Sequence, residues 1–72
     1  MKKLDLHGIP HVDVTNACHE FINQHWNTDQ ELHIITGHSP AMKELVREVL
    51  GIYDVEYTMG DLHNPGYVRL WV

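Results

Sequence analysis

The sequence predicts an α/β fold, a two-layer α+β sandwich with the element order β-α-β-α-β-β. Two stretches with helical apolar spacing each follow a short β-rich segment, and the C-terminal third alternates apolar and polar residues around a turn. Right-handed crossovers would place both helices on one face of a four-stranded mixed sheet. The other face would be open to solvent or to a partner.

The first strand and helix are predicted from a short alternating segment and a longer periodic one. The strand covers residues 3–6 and ends at His7-Gly8-Ile9-Pro10, where a glycine and a proline lie two residues apart. The helix lies between His11 and Trp26, and its apolar stripe consists of Val14, Ala17, Cys18, Phe21, Ile22 and His25. Its polar face is predicted to carry Asn16, His19, Glu20 and Asn23.

The second strand and helix follow a loop. Residues 32–36 are rich in β-branched side chains and are bounded by Gly37, which indicates a central strand. Ser39 before Pro40 is typical of an N-cap followed by the first helical position. This helix should run to about Leu50 and end at Gly51. Its apolar stripe consists of Met42, Leu45, Val46, Val49 and Leu50.

The sequence pattern in the last part of the chain predicts a hairpin with a longish loop. Its first strand alternates through Val55, Tyr57 and Met59, and Asn64-Pro65-Gly66 predicts a turn before the second strand. In that strand Tyr67, Arg69 and Trp71 should share one face, opposite Val68, Leu70 and Val72. On the open face of the sheet, two aromatic rings and a cation could stack unpaired bases. The alternatives are a homodimer contact through the same face or a cover of side chains over the sheet.

Length and charge limit the possible functions. The chain has 72 residues, of which 43% are hydrophobic, so we expect one domain over residues 1–72. A formal net charge of −5 with seven neutral histidines opposes tight nucleic-acid binding at neutral pH, and binding should strengthen as the histidines become protonated. With one cysteine, no apolar leader and no long apolar run, we expect a cytoplasmic protein without membrane contact.

Asp5 and His7 are the first candidate catalytic residues. They lie two residues apart, so the predicted strand would place them on one face at its C-terminal end. A carboxylate beside an imidazole can orient the ring and make it an acid or base near neutral pH. A salt-bridged surface pair would have the same spacing.

Residues 36–40, Thr-Gly-His-Ser-Pro, form the second candidate site. This strand-to-helix turn offers the unpaired amides and the positive dipole end of a helix, which can hold a phosphate. Ser39 acting as an ordinary helix cap explains the same residues. Parallel pairing of the first two strands would bring this turn beside His7.

These motifs together resemble the small MutS-related, or Smr, domain family. The family pattern has an LDLHG element, present here as Leu4-Asp5-Leu6-His7-Gly8, and a TGxG element whose start corresponds to Thr36-Gly37. The resemblance extends from Leu4 to Val72. It implies a fold similar to the C-terminal domain of bacterial translation initiation factor three, and an endonuclease or nicking activity on DNA or RNA.

The resemblance also implies roles for single residues. Asp5 and His7 take the acidic and histidine positions of the family motif, and Thr36 and Gly37 take the start of TGxG. Together with the helix-start turn and the open sheet face, this leads us to expect nucleic-acid contacts at Gly8, Thr36, Gly37, His38, Ser39, Arg69 and Trp71. His38-Ser39 replaces the basic residue and second glycine of TGxG, or else matches a later His-Ser pair of the family after a deletion. Either alignment removes a phosphate-binding cation. A non-cleaving module that binds nucleic acid or a protein is therefore the alternative to an endonuclease.

Seven histidines and one cysteine also raise the question of a metal site. His7, His38 and His63 are candidate ligands at loops or strand ends, and Cys18 could act with His11 or His25 along the first helix. No pair has a ligand signature such as HExxH or CxxC. We therefore expect no metal and no cofactor, and Cys18 in the core.

Overall fold

The computed structural model describes residues 2–28, 30–60 and 66–72 and confirms the predicted order of elements. The elements are β1 (Lys2–Asp5), α1 (His11–Gln24), β2 (Glu31–Ile35), α2 (Pro40–Tyr53), β3 (Glu56–Thr58) and β4 (Tyr67–Trp71). The mixed sheet has the strand order β1-β2-β4-β3. β1 runs parallel to β2, whereas β4 runs antiparallel to both β2 and β3. The predicted fold class is therefore confirmed.

The core lies on one face of the sheet, between the strands and both helices. Leu32 and Ile34 of β2 and Val68 and Leu70 of β4 are fully buried, as the alternation of side chains predicts. The helices contribute Val14, Cys18, Phe21, Ile22, Met42, Val46, Val49 and Leu50 to the same cluster. No helix in the described part of the chain is long and apolar enough to cross a bilayer.

The opposite face of the sheet carries polar and aromatic side chains in rows across the strands. One row runs from Lys3 through His33 to Arg69, because these residues are partners in the registers of neighbouring strands. A second row joins Asp5, Ile35 and Tyr67 in the same way. This face is not covered by any described element.

The second helix is longer than its glycine predicts. α2 continues through Gly51 to Tyr53 and is capped by Asp54, which has a φ of 54° and donates its amide to the Leu50 carbonyl at 3.1 Å. The prediction that Gly51 ends the helix is therefore wrong. A glycine inside a helix costs only about 1 kcal/mol relative to alanine, so tertiary contacts of the last turn can offset it.

Those contacts come from Tyr53 and reach α1. The Tyr53 hydroxyl lies 2.7 Å from Nδ1 of His19 and accepts a hydrogen bond from the Asn23 amide at 3.3 Å. The Trp26 ring lies beside it, with centroids 5.5 Å apart. His19, predicted on the polar face of α1, is half-buried and makes a polar contact with α2.

Candidate functional site at the ends of β1 and β2

Asp5 and His7 meet through a turn and not through a strand. β1 ends at Asp5, so the prediction that both residues share a strand face is wrong. The Oδ1 atom of Asp5 accepts the His7 backbone amide at 2.9 Å and lies 3.0 Å from His7 Nδ1. An aspartate that binds the amide two residues later forms an Asx turn, which places the imidazole beside its own carboxylate.

The same contacts set the ionisation of the pair. The amide of His7, and then its ring, lower the pKa of Asp5 below its ordinary value of 3.8. Asp5 is therefore ionised at neutral pH and favours the tautomer in which Nδ1 of His7 carries the proton. Nε2 of the neutral ring is then a proton acceptor. The side chains of Asp5 and His7 are 60% and 70% exposed, respectively, so a substrate can reach them.

The turn after β2 lies directly against His7. Gly37 has a φ of +67°, and a Cβ atom on it would lie 3.4 Å from Nε2 of His7. Parallel pairing of β1 with β2 produces this proximity, since both strands end at the same edge of the sheet. The predicted meeting of the two motifs is confirmed.

Gly66 holds this turn in place from the start of β4. Its carbonyl accepts the amides of Thr36 and Gly37, both at 2.9 Å, and the Thr36 hydroxyl at 3.2 Å. The single hydroxyl proton is shared with the Gly37 carbonyl, whose oxygen lies 2.9 Å away, and Thr36 is buried. The Thr36 hydroxyl and the Gly37 amide thus support the turn and are not directed at a ligand.

The start of α2 retains two backbone donors. The Ser39 hydroxyl accepts the Met42 amide at 3.2 Å, which confirms its role as the N-cap. The amides of His38 and Ser39 donate to no acceptor within residues 2–28, 30–60 and 66–72. Near the positive end of α2, such amides can bind an anion. Gly8 is exposed and lies in the neighbouring turn, with a φ of +78°.

Tyr67, Arg69 and Trp71 lie on the open face, as predicted, within a network that includes β2. Glu31 receives a hydrogen bond from Arg69 at 2.7 Å and lies 2.9 Å from Nε2 of His33. The Tyr67 ring stacks on His33, and the Arg69 guanidinium lies 5.3 Å from the centre of the Trp71 ring. Arg69, and then His33, lower the pKa of Glu31. Arg69 is thus not an isolated cation.

Arg69 and Trp71 are displaced from the Asp5–His7 pair along the sheet. Trp71 is the partner of Glu31 and Glu56, at the end of β2 that is remote from Gly37. The structure therefore brings Asp5, His7 and Gly37 together, and it does not bring Arg69 or Trp71 to them.

Metal ligands do not converge in the described part of the chain. Residues 2–28, 30–60 and 66–72 contain no group of three His, Cys, Asp or Glu side chains that could hold a metal ion. Cys18 is buried in the core, where loss of solvent raises the pKa of its thiol to about 11. The candidate ligand His63 and the predicted turn residues Asn64 and Pro65 lie outside the described residues.

Comparisons with known proteins add no assignment. No family model, no curated protein and no solved structure matches the chain.

The pKa of Asp5 provides a direct test of the Asp5–His7 geometry. In His7→Ala, we expect the Asp5 pKa to rise part of the way to its ordinary value, because the ring is lost while the amide, the larger cause, remains. NMR titration of the carboxyl carbon measures this change. Since the folded pKa is lowered, ionised Asp5 stabilises the fold above the unfolded pKa, and this contribution disappears as the pH falls through the folded value. An Asp5 titration midpoint that is the same in His7→Ala and wild type would contradict the contact between the His7 ring and Asp5.

Proposed function

We propose that the chain is an Smr-like nucleic-acid endonuclease that cleaves RNA, with flexible or branched DNA as a second substrate class. The observation that carries the proposal is the Asp5–His7 turn. It holds an exposed imidazole by Nδ1 and leaves Nε2 beside the Gly37 turn. The family resemblance of Leu4-Asp5-Leu6-His7-Gly8 supports the same assignment.

The chemistry that fits this arrangement is acid–base catalysis of phosphodiester cleavage. Nε2 of His7 takes the proton of a ribose 2′-hydroxyl, and the 2′-oxygen attacks the adjacent phosphorus. The bond from phosphorus to the 5′-oxygen breaks, and the imidazolium returns its proton to that oxygen. The products are a 2′,3′-cyclic phosphate and a 5′-hydroxyl. Asp5 stabilises the imidazolium, and the His38 and Ser39 amides can bind the phosphate oxygens.

RNA is favoured because it carries its own nucleophile. The 2′-hydroxyl is held next to the phosphorus, so a single imidazole is enough to start the reaction. DNA lacks this group and would need a water molecule activated in the correct position. The pair contains one imidazole and one carboxylate, which matches the simpler requirement.

Cleavage of a labelled single-stranded RNA, with and without chelator, tests the proposal. We expect wild type and His11→Ala to cut the RNA, and His7→Ala to lose at least about 100-fold in rate, the usual contribution of a general acid–base group. His11 is the matched control because it is also an exposed histidine. Mass spectrometry should detect the 2′,3′-cyclic phosphate among the products of the RNA, and a strand with 2′-deoxyribose at every position should give no such product. Equal rates for His7→Ala and wild type would refute the assignment.

A non-cleaving binding module is the second candidate, and specific observations favour it. The Gly37 amide already donates to the Gly66 carbonyl, and the Arg69 guanidinium is paired with Glu31. The net charge of −5 also opposes the approach of a phosphate backbone. A mobility shift of RNA at pH 6 without cleavage of RNA or supercoiled DNA at any pH would support this function and exclude the endonuclease. A shift that is stronger at pH 6 than at pH 7.5 follows from histidine protonation.

A further inference from the structure

β1 is an edge strand whose outer side faces no described element. Among the described strands it pairs only with β2, and Lys2, Lys3 and Asp5 are exposed. The Leu6 amide donates inward, to the Ile35 carbonyl at 3.0 Å. Because backbone groups alternate along a strand, those of Leu4 also face β2, and those of Lys3 and Asp5 face outward. The edge thus presents two amides and two carbonyls.

These outward groups fit a second copy of the same strand. We propose that two copies of the chain associate through antiparallel pairing of β1 with β1, centred on Leu4. In this register Lys3 lies opposite the partner's Asp5, and each residue presents its amide and carbonyl to the other. The two equivalent pairs give four backbone hydrogen bonds about a two-fold axis, which is the self-complementary interface of a symmetric dimer.

The side chains are complementary in the same register. Lys3 and Asp5 lie on the same face of β1, so each ammonium meets the partner's carboxylate in a cross-strand pair. Asp5 uses Oδ1 for His7, and its Oδ2 accepts no hydrogen bond from a described residue. Lys3 forms no ion pair with a described side chain. The half-buried Leu4 would meet the partner's Leu4 on the helix-covered face.

Charge also opposes the neighbouring registers. A shift of one residue would place the helix-covered face of one copy beside the open face of the other. A shift of two residues would oppose either two copies of Lys3 or two copies of Asp5, and like charges directly opposite each other destabilise a sheet. An edge lysine alone commonly prevents pairing. Asp5, two residues further on, converts that lysine into one half of a self-complementary pattern.

The dimer would also change the surroundings of the candidate site. The partner's Lys3 would bring an ammonium to the free oxygen of Asp5, beside His7 and the Gly37 turn. This is the type of charge that the turn itself lacks. The dimer does not rest on the proposed endonuclease function, because its test measures association and not cleavage.

Sedimentation equilibrium from micromolar to millimolar protein tests the association. We expect wild type to form a concentration-dependent dimer, Lys3→Glu to be monomeric, and Lys2→Glu to dimerise as wild type does. Lys2→Glu is the matched control, since it changes the net charge equally but lies outside the Lys3–Asp5 pairs. An equimolar mixture of the Lys3→Glu chain and the Asp5→Lys chain should form a heterodimer, because opposite charges then face each other at both positions.

A cysteine placed on the two-fold axis gives an independent test of the register. Position 4 should lie opposite itself with Cβ atoms about 4.5–5.5 Å apart, so oxidised Leu4→Cys should form a disulfide-linked dimer. In Lys2→Cys the two thiols would be offset by four residues, about 13 Å, and should not link. Because the crosslinking variants retain Lys3 and Asp5, they test the proposed register even if Lys3→Glu fails to fold. A wild-type monomer at every concentration, a dimer that survives Lys3→Glu, or equal crosslinking at positions 2 and 4 would overturn the proposal.

Discussion

Replacing Ile34 with alanine is expected to remove about 2–5 kcal/mol from the free energy of unfolding, the usual cost of a large cavity in a core. Ile34 is fully buried in the middle of β2, where its register partners are Leu4 on β1 and Val68 on β4. A domain of this length has roughly 4–11 kcal/mol of stability in total. The variant should therefore unfold at much lower urea, as measured by circular dichroism.

Ile35→Ala is the matched control for this substitution. Ile35 has the same side chain and is the next residue of the same strand, but it is half-buried on the open face between Asp5 and Tyr67. We expect its replacement to cost about 1 kcal/mol, since less apolar surface returns to water. Equal losses at positions 34 and 35 would mean that the open face is covered in solution, as a partner bound there would do.

The fold could be predicted because apolar periodicity reports which face of each element is buried. The alternation through Leu32 and Ile34 and the helical stripe through Val46 and Val49 both predict the core cluster that the described residues form. The ends of helices also depend on tertiary contacts between residues that are distant in sequence. Gly51 predicted an end that the contact of Tyr53 with His19 overrides, and no local pattern reveals a contact across 34 residues.

The candidate site was predictable to the extent that it depends on neighbours in sequence. The Asp5–His7 spacing predicted their contact, although an Asx turn and not strand alternation produces it. The role of Gly66 could not be predicted, because its carbonyl reaches Thr36 and Gly37 only after β4 has paired with β2. Tertiary pairing, and not sequence spacing, thus determines which amides of the turn are available.

The contact between Glu31 and His33 on the open face could have been predicted from a sequence pattern. Glu31-Leu32-His33 repeats the acidic-Leu-His order of Asp5-Leu6-His7. In β2 this order places both polar side chains on the open face, where Glu31 binds His33 and Arg69. At the end of β1 it forms a turn. The same three-residue pattern therefore has a structural use in a central strand and leaves an exposed imidazole where a strand ends.

Gly37→Ala is the substitution that should disturb the candidate site most directly. Its φ of +67° is costly for a residue with a Cβ atom, by about 1–2 kcal/mol. The new Cβ would also lie 3.4 Å from Nε2 of His7, in van der Waals contact with the ring. We expect a loss of stability in urea unfolding, together with a change in the His7 ring resonances in an NMR spectrum because the new methyl group contacts the ring.

Gly8→Ala separates these two effects. Gly8 has a φ of +78°, so alanine there carries a similar backbone cost, but a Cβ atom at this position would meet nothing within 4 Å. The free energy of unfolding should therefore fall by similar amounts in both variants, whereas the His7 ring resonances should shift only in Gly37→Ala. If the His7 resonances move equally in both, the strained backbone and not the Gly37 contact controls the ring. If they move in neither, the imidazole does not lie against the turn in solution, and the geometry that supports acid–base chemistry at this edge of the sheet is lost.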